Sequence, residues 1–179
     1  MNKNYPNEWW FNDDHRFSDC ITVRRRSKSE WDSFFMDLAL RTSKLSKCAS
    51  RKVGAILVRD NLPLSIGFNG APARTYLCQN ALMCPRKELG FPSGKGIEYC
   101  PAQHAEENAI NNAAKHGIST NSTTIYCYCG LPCQHCAGTI INAGIIEVVC
   151  LDTKKPDYDN MASTLFYQAG VVVRRLRIL

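Results

Sequence analysis

The stretch Cys100-Pro101-Ala102-Gln103-His104-Ala105-Glu106-Glu107-Asn108-Ala109-Ile110, read together with Leu131-Pro132-Cys133-Gln134-His135-Cys136, decides how the rest of the chain is organised. An imidazole, a carboxylate two residues on, and a thiol pair separated by two residues make a zinc-ligand set with a free acid beside it. If His104, Cys133 and Cys136 are the ligands, one tetrahedral position is left for water, which marks a catalytic rather than a structural centre. Pro132 suits the first turn of a helix, where its missing N–H costs nothing. Cys133 and Cys136 then share one face of that helix, and its positive end favours thiolates, the ligand form of cysteine. His104 and Glu106 point nearly opposite ways on a regular helix. They converge only if the chain is just entering the helix at that point, which the Pro101 lead-in and the helix-forming run Ala105 to Lys115 permit.

Taken singly these signals have plain alternatives. A C-x-x-C pair in a chain with ten cysteines can be half of a structural zinc knot, and a single histidine is usually an ordinary helix residue. Their combination, with proline before the first thiol and Ala-Glu after the imidazole, points to catalytic zinc. His135, between the thiols, is expected to face solvent, and His15 and His116 have no partner motif.

Working outward, Ser29 to Lys47 reads as a helix capped by Ser29, with apolar residues at Trp31, Phe34, Phe35, Leu38 and Leu45. Val53 to Val58 and Pro63 to Phe68 read as paired strands joined at Asp60-Asn61, a turn dipeptide. Asn69 to Pro101 is irregular and too long for an ordinary connection, so something must organise it. Cys78, Cys84 and Cys100 fall in this stretch and suggest metal.

Beyond the motif helix, which ends at His116-Gly117, come a strand at Thr123 to Cys129 and a helix at Cys133 to Ala143 stopped by Gly144. A strand at Ile145 to Leu151, a helix at Tyr158 to Ala169 and a last strand at Val171 to Leu176 complete the pattern. Alternation of strand and helix implies parallel pairing, whereas the first two strands look antiparallel. The predicted fold is α/β: a three-layer α/β/α sandwich around a mixed sheet of about five strands. Residues 1–29, with Trp9-Trp10-Phe11 and the run Arg24-Arg25-Arg26, read as an extension of a single domain spanning 30–179. Cys20 to Val23 there can form a short strand, and Cys127, Cys129 and Cys150 look like core or surface residues.

Composition narrows the class. An apolar content of 45% and a charged content of 21% suit a soluble globular protein. No apolar run reaches the 18 or so residues of a membrane span, and Met1 to Trp10 lacks an apolar export core, so a cytoplasmic location is expected. Ten cysteines in an unexported chain argue for reduced thiols and metal. The net charge of +6 suits an anionic partner such as a nucleotide, and equally nucleic acid or a plain solubility surplus.

The pattern H-x-E…P-C-x-x-C is the signature of zinc deaminases, in which the glutamate is a general acid–base and not a ligand. The chain resembles the cytidine deaminase superfamily and, within it, the deoxycytidylate (dCMP) deaminases. That resemblance rests on Ser46-Lys47-Cys48-Ala49-Ser50-Arg51-Lys52-Val53-Gly54-Ala55, Gly67-Phe68-Asn69-Gly70-Ala71-Pro72, the His104 to Ile110 run, and Pro132-Cys133 to Cys136. It covers roughly residues 30 to 176. It implies the cytidine deaminase-like fold and hydrolysis of dCMP to dUMP and ammonia, supplying a dTMP precursor, with Glu106 as proton shuttle. It further implies substrate contacts at Asn69, Ala105 and Asn108, a second, structural zinc at Cys48, Cys78, Cys84 and Cys100, regulation by dCTP and dTTP with Mg2+ accompanying the regulator, and a homohexamer.

Some positions depart from the family. Arg74 stands where its loop ends in glycine, exchanging a tight backbone for a cation that can hold a phosphate. Thr153 replaces a tyrosine and is followed by Lys154-Lys155, so that Lys154 is a further phosphate or regulator contact. The Tyr126 to Cys133 loop, which lies against the base in the family, also departs and keeps a modified cytosine nucleotide open as an alternative. A polynucleotide deaminase acting on tRNA or single-stranded DNA is a second alternative, but no interleaved basic and aromatic groove supports it beyond the first thirty residues, so nucleic acid is not the expected partner. A zinc-stabilised binding module without chemistry is the non-enzymatic reading.

Overall fold

The computed structural model of the chain describes residues 26–78, 84–92, 95–153 and 160–177. Cys20 to Val23, Arg24, Arg25, Lys154 and the expected helix start at Tyr158 lie outside these residues. The first helix, α1, spans Lys28–Ser43 rather than Ser29 to Lys47. Its cap is Ser27 because a capping box forms there: the Ser27 hydroxyl accepts from Glu30 N at 3.3 Å and Glu30 Oε2 accepts from Ser27 N at 2.8 Å. Of its expected apolar face, Phe35 is buried with Met36 and Ala39, whereas Phe34 and Leu45 are exposed.

Strands β1 (Gly54–Arg59) and β2 (Leu62–Phe68) follow. They are joined by Asp60 and Asn61, both at positive φ (51° and 60°), the backbone a two-residue primed hairpin turn requires. Then come the short α2 (Pro85–Glu88), a 3₁₀ turn at Ile97–Tyr99, α3 (Ala105–Lys115), β3 (Thr124–Cys127), α4 (Gln134–Asn142), β4 (Glu147–Leu151), α5 (Asn160–Gln168) and β5 (Val172–Leu176). Gly117, Gly144 and Gly170 take positive φ just past α3, α4 and α5, as the sequence predicted for helix stops.

The five strands form one sheet in the order β2-β1-β3-β4-β5. Pairing is antiparallel for β1 with β2 and β3, and parallel for β3 with β4 and β4 with β5. The side-chain period of two sends alternate residues to opposite faces. Ile56, Val58, Tyr126 and Val149 pack with Phe35, Met36 and Ala39 of α1 on one face. Ala55, Leu57, Ile125, Cys127, Val148 and Cys150 pack on the other with Ala105, Ala109 and Ala113 of α3, Ile140 of α4, and Ala162 and Phe166 of α5. This is the mixed five-stranded, three-layer architecture expected.

Two glycines set how closely the helices approach. A Cβ on Gly67 would lie 2.2 Å from both Ala105 O and Ala109 N, so bare backbone in β2 lets α3 settle against the sheet. Gly54 does the same for α1, where a Cβ would meet Ala39 O at 2.2 Å. The helix α3 is also hydrogen-bonded to the sheet edge. Asn108 Nδ2 donates to Phe68 O at 2.8 Å, Asn112 Nδ2 to Ile66 O at 2.9 Å, and Ser65 Oγ to Ala109 O at 2.8 Å. Residues four apart on a helix match residues two apart on a strand, so the carbonyls of Ile66 and Phe68 on the edge strand are satisfied without another strand.

Three sets of contacts organise the long connection that follows β2. Gly70 and Gln103 exchange backbone hydrogen bonds of 3.2 and 2.9 Å, closing its two ends together. The buried Arg86 donates to Lys95 O at 2.8 Å and Pro92 O at 2.9 Å, and Phe91 stacks on Tyr99. Among the described residues, no helix is long and apolar enough to cross a membrane.

Candidate metal centre and active site

The site is built where two helices begin. His104 is the N-cap of α3, with extended backbone (φ −76°, ψ 158°), and Glu106 is the second residue inside the helix. The change of backbone between them is what lets both side chains face the same space, as their spacing requires. Glu107 Oε2 accepts from His104 N at 3.1 Å and fixes that entry. Cys133 likewise caps α4 (φ −68°, ψ 168°), and Cys136 lies one turn in, at the third helical position. Pro132 therefore precedes the cap instead of opening the helix. A cap residue and the third helical residue face one another, so the two thiols still converge.

His104 Nδ1 lies 3.2 Å from Cys136 Sγ and 3.5 Å from Cys133 Sγ. The three ligand atoms lie within 4.8 Å of one another, and no other group of three or more potential ligands does so among the described residues. Tetrahedral zinc with ordinary Zn–S and Zn–N lengths sets nitrogen and sulfur about 3.6 Å apart, so these atoms fit it. His104 is exposed, Cys133 half-buried and Cys136 buried, so the set opens to solvent on the imidazole side.

Electrostatics points the same way. The hydrogen bond between the two thiols brings Cys133 down to about 4, helped by His104, and the same bond pushes Cys136 far up. The bond to Cys133 lifts His104 to about 9. Three facing atoms thus share protons that a divalent cation would displace, as metal binding to thiol and imidazole does. Glu106 is almost wholly buried, and burial raises its carboxyl above the usual range. Its side-chain donor among the described residues is Cys129, whose Sγ lies 3.8 Å from Oε1. Sequence reasoning set Cys129 aside as a core or surface residue; its place just ahead of Gly130-Leu131-Pro132-Cys133 was the signal available.

The other sequence candidates fall around this centre. Asn69 clamps the segment before β1: its Oδ1 accepts from Val53 N at 2.8 Å and its Nδ2 donates to Arg51 O at 2.8 Å. Asn108 is engaged with Phe68 O, and Ala105, fully buried, is the first residue of α3. Arg74 is exposed at φ 69°: contrary to the expectation that arginine abolishes the glycine-type backbone, the left-handed turn is kept. Cys48, Cys78, Cys84 and Cys100 do not approach one another as tightly as the first set, but burial and the proximity of Cys84, Cys100 and Cys48 raise the Cys78 thiol. Cys127 and Cys150 are core residues, and His135 and His116 are exposed.

Comparison with known proteins agrees with this geometry. Residues 29–152 match the family model described as the cytidine and deoxycytidylate deaminase zinc-binding region. The deoxycytidylate deaminase of Schizosaccharomyces pombe is 36% identical over 150 residues, covering 84% of this chain and 45% of that protein. The chain spans the same 45% of the Saccharomyces cerevisiae relative. The shorter deoxycytidylate deaminase of Mycobacterium phage D29 is 34% identical over 128 residues, 69% of this chain and 95% of that protein. Among solved structures, the dCMP deaminase of cyanophage S-TIM5 in complex with dCMP and dUMP superposes with a TM-score of 0.68 at 27% identity, covering 84% of this chain and all of that one. A zinc centre of one imidazole and two thiolates, on helices laid against this mixed sheet, places the chain in the cytidine and deoxycytidylate deaminase family.

Proposed function

We propose that the protein hydrolyses dCMP to dUMP and ammonia, with Glu106 as the proton shuttle, and so feeds synthesis of a thymidylate precursor. The observation that carries this reading is the buried Glu106 carboxylate two residues past the His104 cap, beside the two thiols that face the imidazole. His104, Cys133 and Cys136 would hold zinc, which in a three-ligand site lowers the pKa of water in the fourth position to about 7. Glu106 would accept a proton from the attacking water as the water oxygen bonds to C4 of the cytosine, and would pass that proton to ring N3. Glu106 then takes the remaining proton from the new C4 hydroxyl and gives it to the exocyclic amine, so that the C4 carbonyl forms as the C4–N bond breaks and ammonia leaves. Glu106 can serve both transfers because it is not a ligand.

The choice of dCMP is supported by the deoxycytidylate deaminases among the relatives and by the dCMP- and dUMP-bound phage enzyme of the same fold. Ammonia release should be measured with dCMP, cytidine, dCTP and a cytosine-containing oligonucleotide. Turnover of dCMP well above the others is expected, and release from the oligonucleotide alone would overturn the choice.

Further parts of the proposal rest on the resemblance. Asn69, Ala105 and Asn108 contact the substrate, and Arg74 and Lys154 a phosphate or regulator. Cys48, Cys78, Cys84 and Cys100 hold a second zinc, a reading supported by the approach of the other three thiols to buried Cys78. The domain spans 30–179, and the protein works as a cytoplasmic hexamer activated by dCTP and inhibited by dTTP, with Mg2+ on the regulator. Zinc analysis at two ions per chain, sedimentation, and titration with dCTP and dTTP check these points.

A further inference from the structure

We propose that Cys129 is a positioning residue for Glu106: its thiol holds one carboxylate oxygen and so leaves the other aimed at the reacting water. The proposal deepens the deaminase reading and rests on it for its kinetic arm alone. Glu106 is almost wholly buried, with the thiols of Cys127, Cys133 and Cys136 near it, and among the described residues its carboxylate has no side-chain donor besides Cys129. Cys129 supplies that donor, with Sγ 3.8 Å from Oε1.

The thiol is not there by the accident of a mobile loop. Cys129 N donates to Cys127 O at 2.8 Å and Cys129 O accepts from Leu151 N at 2.7 Å, so its backbone is tied to the ends of both β3 and β4. The sheet therefore fixes the donor while the first turn of α3 fixes the acceptor. Tying Oε1 from the sheet side restricts rotation about the last carboxylate torsion, which is otherwise broad and roughly two-fold. A carboxylate that relays protons between a water and a ring nitrogen must keep one oxygen on that path, so loss of this donor affects turnover more than substrate capture. A hydroxyl is a stronger donor than a thiol but reaches less far from Cβ, so serine should substitute only in part.

Two measurements decide the matter. In steady-state kinetics with dCMP, Cys129→Ala is expected to lower kcat about tenfold with KM within about twofold and zinc content unchanged, while Cys129→Ser recovers part of the loss. Unchanged kcat in Cys129→Ala, or equal losses in both variants, would overturn the proposal. Independently of any substrate, the S–H stretching band assigned to Cys129 by its absence in Cys129→Ala should shift in Glu106→Gln, because the acceptor changes from carboxylate to amide. A band unmoved by Glu106→Gln refutes the contact even if kinetics are never obtained. A protein inert toward dCMP whose band does shift would instead defeat the substrate reading and leave the pairing standing.

Discussion

The two faces of the sheet are built from different materials. On the side of α3, α4 and α5 small residues, the alanines at 105, 109, 113, 137 and 162 and the thiols of Cys127, Cys136 and Cys150, pack among aliphatic ones and Phe166. Small side chains bring helix backbones close, and the starts of α3 and α4 thereby deliver His104, Glu106, Cys133 and Cys136 to one place. On the side of α1 the contacts are aromatic and ionic. Phe35 lies against Tyr126, whose hydroxyl donates to Asp32 at 2.7 Å. Arg174 bonds Asp32 through Nη2 at 2.9 Å and Glu147 through Nε at 2.7 Å, and Lys28 reaches Glu147 at 3.4 Å. One face thus holds the candidate metal centre, and with it the proposed chemistry, and the other bolts α1 to β3, β4 and β5. Changes on the first should affect turnover, and changes on the second should affect stability alone.

The largest separation is expected from Glu106→Gln. It should reduce kcat by about 100- to 10,000-fold, the usual range for a lost general acid–base, with zinc content and melting temperature maintained. Retained turnover would break the assignment of chemistry to this face. A matched glycine pair sharpens it: Gly67→Ala drives a Cβ into α3 and Gly54→Ala drives one into α1. Each should cost about 1–3 kcal/mol of stability by overpacking. Only Gly67→Ala should also lower kcat, by about tenfold or more, because it displaces the helix that carries Glu106. Equal kinetic effects in the pair would mean that the faces are not independent.

Asp32→Ala should destabilise by about 3 kcal/mol, because it leaves the Tyr126 hydroxyl without its acceptor and Arg174 with Glu147 as its one remaining carboxylate, and lower the melting temperature by about 6–12 °C. Turnover per folded, zinc-loaded molecule should not change. Burial alone would raise the carboxyls of Asp32 and Glu147, but hydrogen bonds led by Arg174 outweigh it and hold both below their ordinary values. Groups lowered in this way stabilise the fold above their ordinary range, near pH 4, and the contribution is lost as pH falls through the lowered values. Melting temperature should accordingly drop on acidification below about pH 4, and Asp32→Ala should flatten that drop. The smallest effect is expected from Arg74→Gly, on a loop belonging to neither face. Relief of the left-handed backbone should raise stability by less than about 1 kcal/mol, partly offset by the freedom glycine gains on unfolding.

Much of the fold was legible because its signals are local. Asp60-Asn61, the glycines after α3, α4 and α5, and the alternation of strand and helix each depend on nearby residues, and all stand where the pattern put them. Boundaries were less legible where two caps competed, as at Ser27 and Ser29, since the capping box with Glu30 prevailed only in three dimensions. The long connection after β2 shows why a composition signal is incomplete. Its thiols suggested metal, yet Arg86 bonding Lys95 O and Pro92 O also holds it, a role for a buried cation that no spacing rule announces.

By itself the sequence determined the metal-ligand set, the free acid beside it and the layered α/β class. Residue type and spacing of two or three positions are enough to specify coordination chemistry and helix entry. Only the tertiary structure decided that Cys129 meets Glu106 and that Asp32 meets Arg174, partners 23 and 142 residues apart. It also decided that Asn108 and Asn112 close the sheet edge. Such pairings depend on strand order and on how closely each helix lies against the sheet, and both are set by the packing of the whole chain rather than by any segment of it.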